Sequence, residues 1–192
     1  MSRTHPDVGV RRAGPADADA VGAVQARLWR DAYAGDLPAE ALEMCTAQAF
    51  ADAWRVALSD YSGPDHVLLA AHEGSEIVGF AAISPSDDPD LAERGAVEIT
   101  VAGVDPDRRG AGHGSRLLAA AADVARERGA TGITVWVLAG HERTRAFLQG
   151  AGFGPDRARR TRVVDDAGAT VLEARLATSL DPPGPDAPDP TR

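Results

Sequence analysis

Between a strand-like run and a helix-like run, this chain places three glycines within five residues, Gly110, Gly112 and Gly114. That junction constrains the fold more than any other stretch. Before it, Val97, Ile99 and Val101 alternate with Glu98, Thr100 and Ala102, the two-residue period of a half-buried strand with one apolar face. Asp105-Pro106 ends the strand. From Gly114 onward Leu117, Leu118, Ala121, Val124 and Ala125 recur at three- and four-residue spacing, which predicts an amphipathic helix. The glycines let backbone N–H groups turn inward and admit a bulky ligand. The helix start adds unpaired N–H groups and the positive end of a dipole. Arg109, Gly110, Ala111, Gly112, His113, Gly114 and Ser115 are therefore candidates to hold a phosphate or pyrophosphate. The run lacks the Lys-Ser/Thr of a P-loop, and its glycines do not follow the G-x-G-x-x-G spacing of a dinucleotide fold.

The 192 residues suit one domain with a single core, and the 44% hydrophobic content agrees. No window reaches the ~20 apolar residues of a membrane span, and the N-terminus lacks the apolar run of a signal peptide. The reading is a cytoplasmic protein with no membrane partner. Cys45, the lone cysteine, has no partner for a disulfide or metal site, so it is expected to pack, and no metal is expected. A formal charge of -9 argues against nucleic acid and favours a cationic acceptor such as an amine. All basic residues are Arg, a mark of GC-rich coding that points to a bacterial source. The run Arg157 to Arg162 reads as a solvated strand face.

In chain order, residues 1–7 are expected to be disordered. Val8 to Ala13 reads as a strand, and Pro15 with Asp17 opens a helix running to about Tyr33. Its core row is Val21, Val24 and Leu28, with Gln25, Trp29 and Tyr33 on a neighbouring stripe. One further helix is expected from Pro38 to Ser59, with Leu42, Cys45, Ala49, Phe50, Trp54, Ala57 and Leu58 as its apolar stripe. A hairpin of strands follows at His66–Ala71 and Glu76–Ile83, then a surface loop from Ser84 to Gly95. After the glycine junction come a strand at Thr131–Leu138, a helix from about His141 to Gln149, and strands at Arg157–Val164 and Thr170–Ala177 joined by a turn at Asp165–Gly168. The domain thus spans 8–178. The Pro/Asp-rich tail, 179–192, is expected to be disordered.

Val104-Asp105-Pro106 followed by Arg109-x-x-Gly112-x-Gly114 resembles motif A of the GCN5-related N-acetyltransferase (GNAT) superfamily. Trp29-Arg30-Asp31-Ala32-Tyr33-Ala34-Gly35-x-Leu37-Pro38 resembles a second signature of its small-molecule branch, near the acceptor. The element order β-α-α-β-β-β-α-β-α-β-β extends the resemblance over nearly the whole chain. It implies an α+β, mixed α/β fold: a central mixed, mostly antiparallel twisted sheet of six to seven strands flanked by about four helices. It further implies acetyl-CoA, or another acyl-CoA, lying where the central strand and its successor splay apart. The pantetheine arm would then pair with Ala102, Gly103 and Val104, and the pyrophosphate would rest on the glycine loop.

Acyl transfer to an amine requires a deprotonated nucleophile, oxyanion stabilisation and a proton for the leaving thiolate. Glu98, on the central strand among apolar neighbours, is the candidate base, since a partly desolvated carboxylate has a raised pKa. The resemblance implies an oxyanion-binding N–H near Val104. It also implies a Tyr acid where this chain has Leu148, and an Asn where it has His141. Tyr33 and His141 are the remaining candidates for the acid, His141 doubling as a CoA contact, and Trp29 with Tyr33 are candidate acceptor contacts. The expectation is a small-molecule amine acetyltransferase. Acetylation of a protein N-terminus or lysine, and a non-catalytic acyl-CoA sensor, are the competing readings. Homodimers are frequent among the proteins it resembles, and no stretch of sequence marks an interface.

Overall fold

The computed structural model describes residues 7–60, 65–92, 95–164, 168 and 170–180. The expected terminal segments, apart from residues 7, 179 and 180, and the expected turn at 165–168, apart from Gly168, lie outside the described residues. Seven strands form one sheet, β1 (Val8–Arg12), β2 (Val67–Glu73), β3 (Glu76–Pro85), β4 (Val97–Val104), β5 (Gly132–Leu138), β6 (Gly154–Val163) and β7 (Thr170–Ser179). Their order across the sheet is β1-β2-β3-β4-β5-β7-β6. Every neighbouring pair is antiparallel except β4 and β5. The sheet is therefore mixed and mostly antiparallel, with its one parallel pair in the middle.

The helices are α1 (Ala18–Ala32), α2 (Ala39–Met44), α3 (Ala47–Asp60), α4 (Pro89–Ala92), α5 (His113–Glu127) and α6 (Glu142–Gly150). On one face, α5 lays Leu117, Ala121, Val124 and Ala125 against Leu69, Val78, Ile83, Val97, Ile99, Ile133 and Leu176 of the sheet. Leu148 of α6 and Phe153 complete that core. On the other face, Val21 and Val24 of α1 meet Leu68, Ala70 and Phe80, with Leu28, Trp54, Leu58 and Val101 packed beside them.

Three expectations are corrected. The single helix from Pro38 to Ser59 is two, because the chain leaves helical geometry at Cys45 (ψ 60°), and the Thr46 hydroxyl then accepts the N–H of Ala49 at 3.1 Å, restarting a helix. The buried residue of α3 is Ala51, with Ala49 exposed. A Cβ on Gly22 would lie 2.6 Å from the Ala51 nitrogen, so the missing side chain lets α1 and α3 meet backbone to backbone. The 84–95 loop contains the short α4, whose neighbourhood is held by an arginine described below.

The third correction concerns β4. Ala82 pairs with Val101 but Ile83 with Ile99, so Thr100 is an extra residue, a β-bulge. Val97 and Ile99 face the α5 core, whereas Val101 turns to the α1 core. A strict alternation puts all three on one side; the bulge breaks it.

Candidate functional site

The parallel pairing of β4 with β5 is short. It covers Val97↔Ile133, Glu98↔Thr134 and Ile99↔Val135, after which β4 continues to Val104 and β5 to Leu138 without pairing to one another. The bulge at Thr100 supplies the reason: it adds twist and redirects β4 at the rung where the strands separate. The unpaired edge of β4 from Ala102 to Val104 therefore borders a slot, with Ala102 exposed. An extended amide-bearing chain could pair with this edge as a strand would.

The slot leads to the glycine loop. Gly110 and Gly112 both have φ +82°, a conformation that glycine adopts without strain. A Cβ on Gly112 would sit 3.0 Å from Nη1 of Arg116, and one on Gly114 would sit 3.0 Å from the Phe147 ring. Helix α5 begins at His113, one residue before the expected start, and its first-turn N–H groups have no intrahelical acceptor. Backbone N–H groups at a glycine-rich helix start of this kind form a cradle suited to an anion.

The side chains around the loop are arranged differently from the sequence expectation. The His113 ring points away from both solvent and loop. It is wholly buried, its Nε2 2.7 Å from Oε1 of Glu73 and its Nδ1 without a partner. Only the backbone of His113 is available at the loop. Arg109 is held by Asp31 at 2.6 Å, which ties the loop to α1. Arg116 was not marked by the sequence pattern, yet it lies over the loop and donates to the Ala111 carbonyl at 2.9 Å.

Glu98 lies on the opposite face of β4 from Val97 and Ile99. Its residue is 7% exposed, and Oε2 is buried without a hydrogen-bond partner. Burial pushes its pKa up to about 7; Arg160 opposes the rise, and Asp87, Asp88 and Glu173 add to it. A carboxylate in this state can take up or release a proton near neutrality.

Beyond Glu98, the same face carries Trp136, Glu173 and Arg175, which the sequence did not single out, and Arg160 and Arg162, which the sequence reads as part of a solvated strand face but which the structure ties to the buried Glu173. The register sets Trp136 opposite Arg175 and Arg160 opposite Glu173. The buried Glu173 carboxylate receives Nε of Arg160 at 2.7 Å and Nη2 of Arg162 at 3.0 Å. The Arg160 guanidinium stacks over the Trp136 ring at 4.3 Å. Arg175, 5% exposed, is enclosed by Asp88, Asp90 and Asp156 at 2.6–2.9 Å, and this clamp fixes the α4 segment over the sheet. The sequence signal was the two-residue step from Arg160 to Arg162 and from Glu173 to Arg175, which puts each pair on one face of its own strand.

The structure brings His141 to the pair formed by Tyr33 and Trp29. The Tyr33 ring is 4.8 Å from Trp29 and 5.9 Å from His141, and Trp29 is 5.3 Å from Phe50. Nε2 of His141 lies 3.1 Å from Asp36. Burial raises the Tyr33 pKa, and Arg162, close enough to act on its hydroxyl, partly opposes the rise. Arg162 thus acts on Tyr33 and Arg160 on Glu98, and Glu173 joins the two arginines. Leu148 sits in the α5-side core, 5% exposed, and carries no proton to give. Two hollows, of about 410 and about 550 Å3, lie along β7, and neither is lined by Glu98 or the glycine loop. Among the described residues no metal-binding cluster is present, and no helix is long and apolar enough to cross a membrane.

The acetyltransferase (GNAT) family matches residues 23–153. The mycothiol acetyltransferase of Thermobispora bispora is 38% identical over 100 residues, 52% of this chain and 29% of that protein, so the match spans under a third of the relative's length. Among solved structures, yncA of Salmonella typhimurium with its cofactor acetyl-CoA is 19% identical, with a TM-score of 0.66 over 95% of this chain and 98% of that one. The PaiA N-acetyltransferase of Thermoplasma acidophilum in complex with coenzyme A is 17% identical, with a TM-score of 0.64 over 90% and 99%. The ribosomal-protein-alanine N-acetyltransferase of Brucella melitensis is 23% identical, with a TM-score of 0.68 over 88% and 98%. At these identities the structural likenesses show a shared fold.

Proposed function

The chain belongs to the acetyltransferase (GNAT) family, and from that premise we propose that it transfers the acetyl group of acetyl-CoA to a primary amine of a small molecule, with Glu98 as the general base. Acetyl-CoA supplies the acetyl group as a thioester. The single observation that carries the reading is Glu98 itself: a buried carboxylate with an unpartnered oxygen, on the second of three rungs before β4 and β5 part.

Each part of the site has a separable task. Ala102 to Val104 offer backbone groups along the slot, and residues 109 to 115 hold the pyrophosphate through backbone N–H groups. Glu98 takes the proton from the incoming ammonium, directly or through water, leaving the amine free to attack. Trp29 and Tyr33 form one apolar wall of the acceptor site. Tyr33 keeps its proton through neutral pH because burial raises its pKa, so it is the candidate donor to the leaving thiolate, with His141 and Asp36 behind it. A thiolate of pKa ~8.5 also leaves without strong acid assistance, which the buried Leu148 makes relevant. Acyl-CoA binding without catalysis is the second reading, and Leu148 is the observation that favours it.

The test is calorimetric titration with acetyl-CoA followed by a CoA-release assay across a panel of amines. Binding with turnover of a small amine supports the proposal. Binding with no turnover on any amine would leave the sensor reading, and turnover confined to peptides would move the acceptor to protein.

A further inference from the structure

The face beyond Glu98 is polarised, and its two ends carry opposite charge. At the α4 end, Asp88 and Asp90, joined by Asp156 from the first residues of β6, surround the single cation Arg175, and Asp87 adds its field at Glu98. At the β6 end the balance is reversed, with two cations, Arg160 and Arg162, facing the single carboxylate of Glu173. The excess positive charge stands out in a chain whose net charge is -9.

The two arginine clusters also differ in access. Arg175 is buried, with its side chain 5% exposed and Nε, Nη1 and Nη2 all paired to carboxylates. It holds structure. Arg160 and Arg162 keep 40% and 38% of their side chains exposed, while the carboxylate they share is 6% exposed. Glu173 thus fixes their inner edges from below, and the stacking of Arg160 on Trp136 fixes the plane of one guanidinium. A guanidinium carries five N–H donors, and those that Glu173 and, for Arg162, the Tyr33 hydroxyl do not engage remain for an anion. The pre-set fork matches a carboxylate held by two parallel hydrogen bonds.

Resting on the acceptor reading above, we infer that the amine substrate is a small amino acid in zwitterionic form, its carboxylate bound by Arg160 and Arg162 and its ammonium directed to Glu98. The charge gradient aligns such a molecule: the ammonium sits toward the acidic α4 end and the carboxylate toward β6. Tyr33, beside Arg162, borders the anion end, so Trp29 and Phe50 are left to face the amino acid's side chain. A plain amine or a polyamine would leave the Arg160–Arg162 excess unmatched, and a polyamine would bring a second cation to it.

The experiment uses the full chain with acetyl-CoA and matched acceptor sets: free amino acids, the same amino acids as C-terminal amides, and the amines lacking the carboxyl group. The expected result is a preference for free acids over their amides of about 10- to 100-fold in kcat/KM, the worth of a charge-assisted pair. Arg160→Gln combined with Arg162→Gln should collapse that preference toward unity, chiefly through KM. Because this pair leaves Glu173 buried without a cation, Arg160→Lys is made alongside; it keeps the charge, loses the fork, and should retain a reduced preference. Equal turnover of acids and amides by the natural chain overturns this inference while the acetyltransferase reading stands. No turnover of any set, with acetyl-CoA bound normally, overturns the acceptor reading and this inference with it.

Discussion

Glu98 of β4 stands opposite Thr134 of β5, on the last but one rung of the only parallel pairing in the sheet. One rung further, at Ile99 and Val135, the ladder ends and the strands part. The candidate base and the slot proposed for the cofactor consequently lie beside the same local event, the bulge at Thr100.

Replacing Glu98 with Gln keeps shape and removes the base. Turnover should fall by about 10²–10⁴-fold, with acetyl-CoA affinity unchanged by calorimetry. In the natural chain kcat/KM should rise with pH through an inflection near 7, where Glu98 loses its proton. The Gln variant should lack that inflection. An unaltered pH profile in the variant removes Glu98 from the mechanism.

The same group makes a stability prediction. Its folded pKa is raised from 4.5 to about 7, so between those values the folded state holds a proton that the unfolded chain has released. The contribution of Glu98 therefore favours folding below pH 4.5 and is lost as pH rises through 7. Urea melts should show Glu98→Gln gaining on the natural chain from pH 5 to pH 8, by up to about 3 kcal/mol. A constant difference across that range contradicts the assignment.

Gly112→Asp places a carboxylate where the pyrophosphate would rest, at φ +82° and against Arg116. Acetyl-CoA binding should fall below detection. Gly74, also at positive φ (+58°) but with nothing within 4 Å of an added Cβ, controls for backbone strain. Gly74→Asp should bind acetyl-CoA as the natural chain does; normal binding by the Gly112 variant would refute the loop assignment.

Gly22→Ala tests the closeness of α1 and α3. The new Cβ would meet the Ala47 carbonyl at 2.7 Å and the Ala51 nitrogen at 2.6 Å, backbone atoms that move only if the helices separate. Overpacking of this kind costs about 1–3 kcal/mol. Denaturant unfolding should show that loss, and a neutral result would mean the helices part freely.

The fold was legible from local pattern. The glycine junction, the apolar periods and the order of elements lie in short windows of sequence, where propensity and turn chemistry act. The burial of Glu98 was legible too, because it stands among apolar neighbours on the central strand. The ring cluster of Tyr33, Trp29 and His141 was half visible: the four-residue step joins Tyr33 to Trp29, but His141 arrives from more than a hundred residues away.

What the sequence by itself determined was most of the elements, and among them a glycine-rich helix start of the kind that suits an anion. Tertiary structure alone decided which charges meet. The bulge at Thr100 sent Val101 to the α1 core, the half-buried Glu73 drew the His113 ring inward, and the β5–β7–β6 register set Arg160 and Arg162 around Glu173. The reason is physical. Hydrophobic period and backbone propensity act over a few residues, whereas ion pairing and desolvation depend on distances through space, which are fixed only when distant strands are laid side by side.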